Sequence, residues 1–398
     1  MSNKQTIYII SDYRAGAADG LAEFNYQTVN LLKDEFNFNF IEFRKNKPVD
    51  YYDQEVIDGF PIHTYGIEGL SAYQVPALFI DWLKKIPQQD TLFHLHHIWN
   101  LRNLRLARAL HKNNFRYIIT PHDSYVYSPS FMKLLPPFKK LYKNLYINIV
   151  DKYILDHATF VHGISEQCPP YLKSLTKTPV EVVTNQVKDM KLEFNVSKIK
   201  PQVCFIGRFN VHSKGIDLSL KAFQLFKKAN KHNTENVVFK LIGPADAAAS
   251  QACDTLCQEL GLKLGQDVIF AGKIPVEERN QSLVESKVYM QLSRMEGFGL
   301  SIAQALTAYK PVIISSQVPI HDKITKHGAG YVVNNPQEAA DALAAIFALS
   351  PDKYLEMAMS ARRCYEQEFH PEVIKPQLIN LYTKSFRDNS KKIKEMSL

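Results

Sequence analysis

The chain has 398 residues, 45% of them hydrophobic and 22% charged, with a net charge of +8; that length accommodates two ordinary domains, each with its own core. Its most apolar stretch, 75–86, is short and interrupted by Asp81, Lys84 and Lys85, so no membrane span is predicted. The positive balance predicts an anionic partner, and the reader motifs of nucleic-acid-binding proteins are missing, which excludes nucleic acid and leaves anionic lipid or a phosphorylated substrate.

In chain order, residues 1–5 lead directly into the strand-like run 6–10 with no charged and then apolar leader, so the protein is expected in the cytoplasm. Further strand-like runs follow at 37–43, 91–96, 116–120, 159–163 and 180–184, with helical patterns at 20–33, 101–112 and 139–155. Residues 185–200 lose periodicity and turn polar and basic, the mark of a linker. The pattern restarts with strands at 202–207, 237–243, 268–272, 288–293, 311–315 and 330–333, separated by helices at 218–228, 250–260 and 301–308. This alternation predicts an α/β fold of two doubly wound, Rossmann-like domains, with the ligand edges at the carboxyl ends of the strands facing a central cleft. The basic tail 386–398 is expected to be a solvated end. Five cysteines, Cys168, Cys204, Cys253, Cys257 and Cys364, are odd in number and scattered, which suits a reducing cytosol. Cys253 and Cys257, four apart on a helical pattern, are expected to pack rather than to hold a metal.

The stretch Met295-Glu296-Gly297-Phe298-Gly299-Leu300-Ser301 places an acid on a glycine-rich turn before a helix. Gly297 and Gly299 permit close backbone approach, and free amides at the helix start favour a phosphate. Gly207-Arg208 closes a strand and Lys214-Gly215 stands at a helix entrance; two cations and a helix terminus can surround one diphosphate. The loop 12–20 contains Gly16, which allows close approach, and Asp19, a partner for a sugar hydroxyl; a plain strand-to-helix turn explains the loop equally well. Thr120-Pro121-His122-Asp123 ends another strand, where His122 is the candidate for function and Asp123 its helper. In His94-Leu95-His96-His97, the first and third histidines share one strand face, but no acidic cluster completes a metal site, so His96 or His97 is expected to line the cleft. Lys133, Lys139, Lys140 and Lys143 are interleaved with Phe131, Phe138, Tyr142 and Tyr146 around Pro136-Pro137. That segment reads either as a basic, aromatic face for an anionic membrane or as a packing helix with a solvated lysine face.

In order and spacing, Gly207-Arg208, Lys214-Gly215, Gly243, Phe270-Ala271-Gly272 and Glu296-Gly297-Phe298-Gly299-Leu300, ending in Pro311-Val312-Ile313, resemble the successive blocks of the family-4 retaining glycosyltransferases with the GT-B fold. The resemblance implies an acceptor-side domain over 1–188, a linker at 189–200, a nucleotide-sugar-binding domain over 201–370, and a final segment 371–398, after Phe369-His370-Pro371, that returns to the first domain. It implies that Arg208 and Lys214 bind the donor diphosphate without a metal, and that Glu296 and His122 position the donor sugar. Gly16, Gly207, Gly243, Gly297, Phe298, Gly299, Leu300 and Ser301 would cradle the donor, a UDP-sugar or GDP-sugar, with no further cofactor. The family's second glutamate, which holds the ribose hydroxyls, is replaced here by Gln304. A carboxylate accepts from both hydroxyls, whereas an amide offers one accepting oxygen, so a weaker nucleotide contact is expected.

The reaction implied by the resemblance moves a hexosyl group onto a hydroxyl of a glycan or lipid-linked acceptor, in cell-surface polysaccharide synthesis of the bacterial kind. Attack and departure would occur on one face of the sugar, with the leaving phosphate taking the acceptor proton. The implied place is cytoplasmic, peripheral at the inner face of the plasma membrane. A nucleotide-sugar epimerase on the same fold and a degenerate glycosyltransferase serving as a binding or scaffold subunit remain open alternatives.

Overall fold

Short runs rich in Ile, Val and Phe become strands covered on both faces, and amphipathic helices supply the cover. The structure, a computed structural model, describes residues 4–11, 20–45, 47–68, 75–122, 136–230 and 234–387. The chain divides into two compact units, Met1–Gln186 with Ile374–Leu398, and Val187–Val373.

The first unit holds an eight-stranded sheet of β1 (Thr6–Ile10), β2 (Asn37–Lys45), β3 (Tyr52–Ile57), β4 (Phe60–Ile67), β5 (Thr91–His96), β6 (Arg116–Thr120), β7 (Phe160–Gly163) and β8 (Val180–Val182). The order is β3-β4-β2-β1-β5-β6-β7-β8. All neighbours are parallel except β3 with β4. β5 is buried at every position, as a central parallel strand must be. Sequence periodicity alone predicts no strand between 43 and 91. Here β3 and β4 form a hairpin closed by Asp58 (φ 53°) and Gly59 (φ 85°), a pair of left-handed residues that matches the strand twist. The helical pattern at 139–155 is three successive pieces, Pro137–Tyr146, a π-helical turn Ile147–Asp151, and Lys152–Asp156.

The helix Pro371–Arg387 belongs mostly to the first unit. Ile374, Leu378, Leu381, Tyr382 and Phe386 join Ile7, Ile9, Val29, Phe36 and Phe38 in one core. Phe386, expected at the start of a solvated tail, is therefore a core residue, because its ring stacks on Phe36 with centroids 6.2 Å apart.

The second unit is a six-stranded parallel sheet of β9 (Lys200–Ile206), β10 (Val238–Ile242), β11 (Val268–Gly272), β12 (Ser286–Gln291), β13 (Val312–Ser315) and β14 (Gly330–Val333). The order β11-β10-β9-β12-β13-β14 is the doubly wound pattern, with its switch point between β9 and β12. Residues 189–200, expected as a linker, pack onto this unit. Asp189 accepts from Arg362 Nη2 at 2.6 Å, and Phe194 stacks on Tyr309 at 4.9 Å. Cys253 and Cys257 are buried in the core of this unit, beside Phe223 and Leu241.

Candidate active site

In an open parallel sheet the ligand edge lies where strand order reverses, because there the connections run to opposite faces and leave a crevice. In the second unit β9 is followed at that point by Gly207-Arg208, and β12 by the loop that carries Glu296. Gly243 ends β10 at φ 147°, and a Cβ there would stand 2.0 Å from the Gly207 carbonyl oxygen. The two strand ends therefore approach each other only because residue 243 is a glycine. Arg208 is exposed, makes no ion pair among the described residues, and lines a hollow of about 550 Å³ with Phe209, Asn210, Pro244, Ala245 and Asp246.

Two loops far apart in the chain are stitched together beside this strand end. The amides of Arg294 and Met295 donate to the Ser213 carbonyl at 2.9 and 3.2 Å. The Arg294 guanidinium grips the Asp217 carboxylate through both terminal nitrogens, at 2.7 Å each. Gly215, at φ 60°, caps the helix Ile216–Ala229, and a Cβ there would stand 1.8 Å from the Leu292 carbonyl oxygen. This close approach delivers Lys214 to Glu296.

Lys214 Nζ donates to Glu296 Oε1 at 2.5 Å. Glu296 is only 8% exposed, and the same oxygen accepts from Gln291 Nε2 at 2.5 Å and Ser293 Oγ at 3.0 Å. Three donors on one oxygen, one of them cationic, offset the cost of burying the carboxylate. Beneath them, the Tyr289 hydroxyl lies 2.6 Å from Gln291 Oε1, 3.0 Å from Ser301 Oγ and 3.1 Å from the Ile206 carbonyl. Burial pushes the Tyr289 phenol well above its ordinary range, so it acts as a neutral donor. Gln291, Ser293 and Tyr289 were missed in the sequence. The available signal was a glutamine at the end of an otherwise apolar strand, where an unpaired amide would be costly.

Gly299, at φ 102°, caps the helix Leu300–Thr307. The amides of Leu300 and Ser301 have no partner among the described residues, whereas those of Ile302 and Ala303 donate to the Gly299 carbonyl at 3.0 Å. Two amides thus stand ready for an anion at the helix start. The side chains of Phe298 and Ser301 are committed elsewhere, to the Phe369 ring and to Gln291, so only their backbone is available to a ligand. Gln304 is half-buried, and its side-chain amide makes no hydrogen bond among the described residues.

His122 belongs to the first unit, just after β6, half-buried beside the buried imidazoles of His94, His96 and His162. His162 Nε2 must donate to the Val183 carbonyl (2.8 Å), so its Nδ1 accepts from Thr120 Oγ1 (2.8 Å). Thr120 in turn accepts from His94 Nε2 (2.7 Å), and His94 Nδ1 accepts from the Tyr382 hydroxyl (2.9 Å). Each proton in this chain is assigned by the one before it. Burial first, and then mutual repulsion, holds His94, His96 and His122 well below the ordinary histidine range, and burial lowers His162 to about 4. His96 Nδ1 lies 3.0 Å from His122 Nε2, and His96 Nε2 is buried without a partner. An orphaned acceptor costs less than an orphaned N–H, so the network assigns the donated proton to His96 Nδ1 and leaves His122 with N–H at Nδ1. His122 then offers a hydrogen-bond donor to a ligand oxygen.

Of His96 and His97, expected as alternatives for lining the cleft, His96 is corrected. It is 4% exposed and sits inside the imidazole group, because as the last residue of a central strand it shares the interior face with His94. His97 is half-buried, with φ 67°. Gly16, Asp19, Asp123, Phe131 and Lys133 lie outside the described residues.

Residues 188–363 match the family model of the glycosyl transferases group 1. Among curated proteins the chain is 24% identical over 235 residues to a trehalose synthase of Pyrococcus horikoshii; the match covers 56% of this chain and about half (55%) of that relative's length. Among solved structures it is similar to a sucrose-phosphate synthase from Thermosynechococcus elongatus, at a TM-score of 0.73 and 22% identity over 96% of this chain and 99% of that one. It is also similar to a structure from E. coli described as trehalose-6-phosphate bound with UDP-2-fluoro glucose, at a TM-score of 0.71 and 13% identity over 96% and 99%. At these identities the structural likeness shows the fold, which is GT-B. Residues 188–363 thus form a glycosyl transferases group 1 domain within a chain of GT-B fold.

Proposed function

We propose that the protein is a retaining glycosyltransferase that moves a hexosyl group from a nucleoside diphosphate sugar to a hydroxyl of a glycan or lipid-linked acceptor, at the inner face of the plasma membrane, in the synthesis of cell-surface polysaccharide. The observation that carries this reading is the meeting of Lys214 with Glu296 at the β9/β12 switch point, beside exposed Arg208 and the free amides of Leu300 and Ser301. The charge that develops in such a transfer is on the departing diphosphate. Two cations and two helix amides can stabilise it without a protein nucleophile. Lys214 is held by Glu296 until a diphosphate competes for it. Glu296, kept in place by Gln291 and Ser293, remains to face the sugar. His122, as a donor at Nδ1, is assigned to a sugar oxygen by the family resemblance.

The finer placement in family 4 rests on the motif blocks from Gly207 to Ile313. UDP is the donor nucleotide tried first, because one structural neighbour holds UDP-2-fluoro glucose. A sugar phosphate is the second acceptor reading. It is favoured by the printed names of the neighbours, a sucrose-phosphate synthase and a trehalose-6-phosphate complex.

The test is a panel of UDP- and GDP-sugars read by thermal shift, followed by turnover with glycan, lipid-linked and sugar-phosphate acceptors. A ligand that binds the native state tightly raises the melting temperature even when its acceptor is missing. A wild-type protein that neither binds nor consumes any donor sinks the reading. A donor that is bound but only epimerised selects the epimerase, and one bound without turnover selects the binding subunit.

A further inference from the structure

Charge is distributed very unevenly along this chain. Residues 91–150 contain nine Lys and Arg against one acid, Asp123, a net +8 equal to that of the whole protein, so the other residues sum to zero. Two helices in this region carry no acid at all, Leu101–Lys112 and Pro137–Tyr146. They lie together. The Trp99 ring, just before the first helix, packs on Tyr146 at 4.0 Å and under Lys143 at 4.8 Å, and Arg108 lies 5.2 Å over the Tyr153 ring. Arg105, Arg108, Lys139 and Lys140 are exposed.

The same place carries an apolar stripe. No residue of the Pro137–Tyr146 helix is buried. Phe138, Leu141, Tyr142, Leu145 and Ile149, spaced three and four apart into the π-helical turn, are between 56% and 81% exposed. Among the described residues no other helix exposes more than two large apolar side chains. A helix that shows water five such side chains on one line is shaped for an apolar phase.

The geometry points to this helix as a docking surface for a bilayer containing anionic lipid: Phe138, Leu141, Tyr142, Leu145 and Ile149 enter the headgroup boundary, and Lys139 and Lys140, with Arg105 and Arg108 behind, meet lipid phosphates. Lysine stems beside an apolar stripe reach headgroups while their methylenes stay in the boundary. No described helix is long and apolar enough to cross the membrane, so the attachment is peripheral. Charge argues against a second copy of this chain as the occupant, since a symmetric contact would press Lys139 and Lys140 against like charges of the other copy. A nucleic acid would use the cations and leave the stripe in water. The inference deepens the reading that the acceptor is presented at a membrane, and it is tested independently of the donor.

The full-length protein is sedimented with vesicles of phosphatidylcholine alone and of phosphatidylcholine mixed with phosphatidylglycerol. Binding to the mixed vesicles, weakened by salt, is expected, with little binding to the neutral ones. Lys139→Gln with Lys140→Gln should weaken binding roughly thirtyfold and flatten its salt dependence. Leu141→Gln with Leu145→Gln should weaken it roughly tenfold or more, with an unchanged melting temperature because both side chains are in water already. Both double variants should keep the donor-induced thermal shift, which separates failure of this surface from failure of the donor site. Wild type that ignores anionic vesicles at low salt overturns the inference, as do variants that bind like wild type. A wild-type dimer that the leucine variant turns into a monomer with vesicle binding unchanged reassigns the stripe to self-association.

Discussion

At the strand ends of the first sheet three buried imidazoles and the half-buried His122 are held neutral, each oriented by a hydrogen bond, while at those of the second a lysine and a glutamate are paired beside an exposed arginine. The difference shows what each end is suited to do. A neutral network fixes direction: it decides which nitrogen of His122 carries the proton, and it tolerates no free charge because burial penalises one. A charged pair keeps cations at a strand end without leaving them unsatisfied, and can release them when an anion arrives.

The sharpest way to break this comparison is to remove the cations. Arg208→Ala and Lys214→Ala should each lower kcat by roughly 10²–10³, the range for deleting a donor that meets developing charge, with the Arg208 variant keeping wild-type stability. Lys214→Ala should also destabilise the second unit by about 1–2 kcal/mol, since Glu296 loses its cation while partly shielded by Gln291 and Ser293. Steady-state rates and chemical denaturation read these outcomes, and normal turnover in both variants would remove the charged end from the chemistry.

Next in size is backbone approach. Gly215→Ala places a Cβ on the Leu292 carbonyl at a left-handed φ, and should cost roughly 3 kcal/mol or more. Gly261→Ala, at a similar φ (67°) with open space around it, should cost about 1 kcal/mol. Equal losses in denaturant melts would mean that the loop contact at Leu292 is not tight.

Acid should separate the two units. The four histidines have folded-state pKa values below the ordinary 6.5, so the unfolded chain binds more protons as pH falls below that value. Stability of the first unit is therefore complete above about pH 6.5 and declines toward pH 4, with His162 alone accounting for about 3 kcal/mol. In the second unit, burial alone would raise Glu368, but hydrogen bonds from His327, Lys323 and Lys326 hold it at about 2, so its contribution is lost only as pH falls below the ordinary carboxylate value toward 2. Hydrogen exchange resolved by segment between pH 7 and pH 4 should show the first unit loosening first; the opposite order would overturn the neutral-network description.

The smallest expected effect is at Gln304. Gln304→Glu restores a carboxylate that accepts from both ribose hydroxyls and should tighten nucleotide binding by about 1 kcal/mol, near fivefold, by calorimetry. No change would indicate that the amide already meets the ribose fully.

Much of this was legible before any coordinates. Alternating apolar and amphipathic runs placed most strands within one or two residues, and Gly207, Arg208, Lys214 and Glu296 stood out because glycines and ionic residues at strand ends have few structural uses. The hairpin of β3 and β4 was legible too, through Asp58-Gly59, but β3 is exposed along most of its length and shows little periodicity. His96 was misjudged for a related reason: alternation gives the face of a strand, but whether that face is covered depends on elements far away in sequence, here Phe24, His162 and, through His94, Tyr382.

By itself the sequence determined the α/β alternation, the location of the cations and the acid at strand ends, and the concentration of the protein's net charge in residues 91–150, because these are properties of residue order alone. Only the tertiary structure decided that Lys214 pairs with Glu296, that His122 is oriented through His96, and that the apolar side of the Pro137–Tyr146 helix faces water. Each of those outcomes depends on which distant groups satisfy a buried polar atom or cover an apolar one, and local periodicity carries no record of such partners.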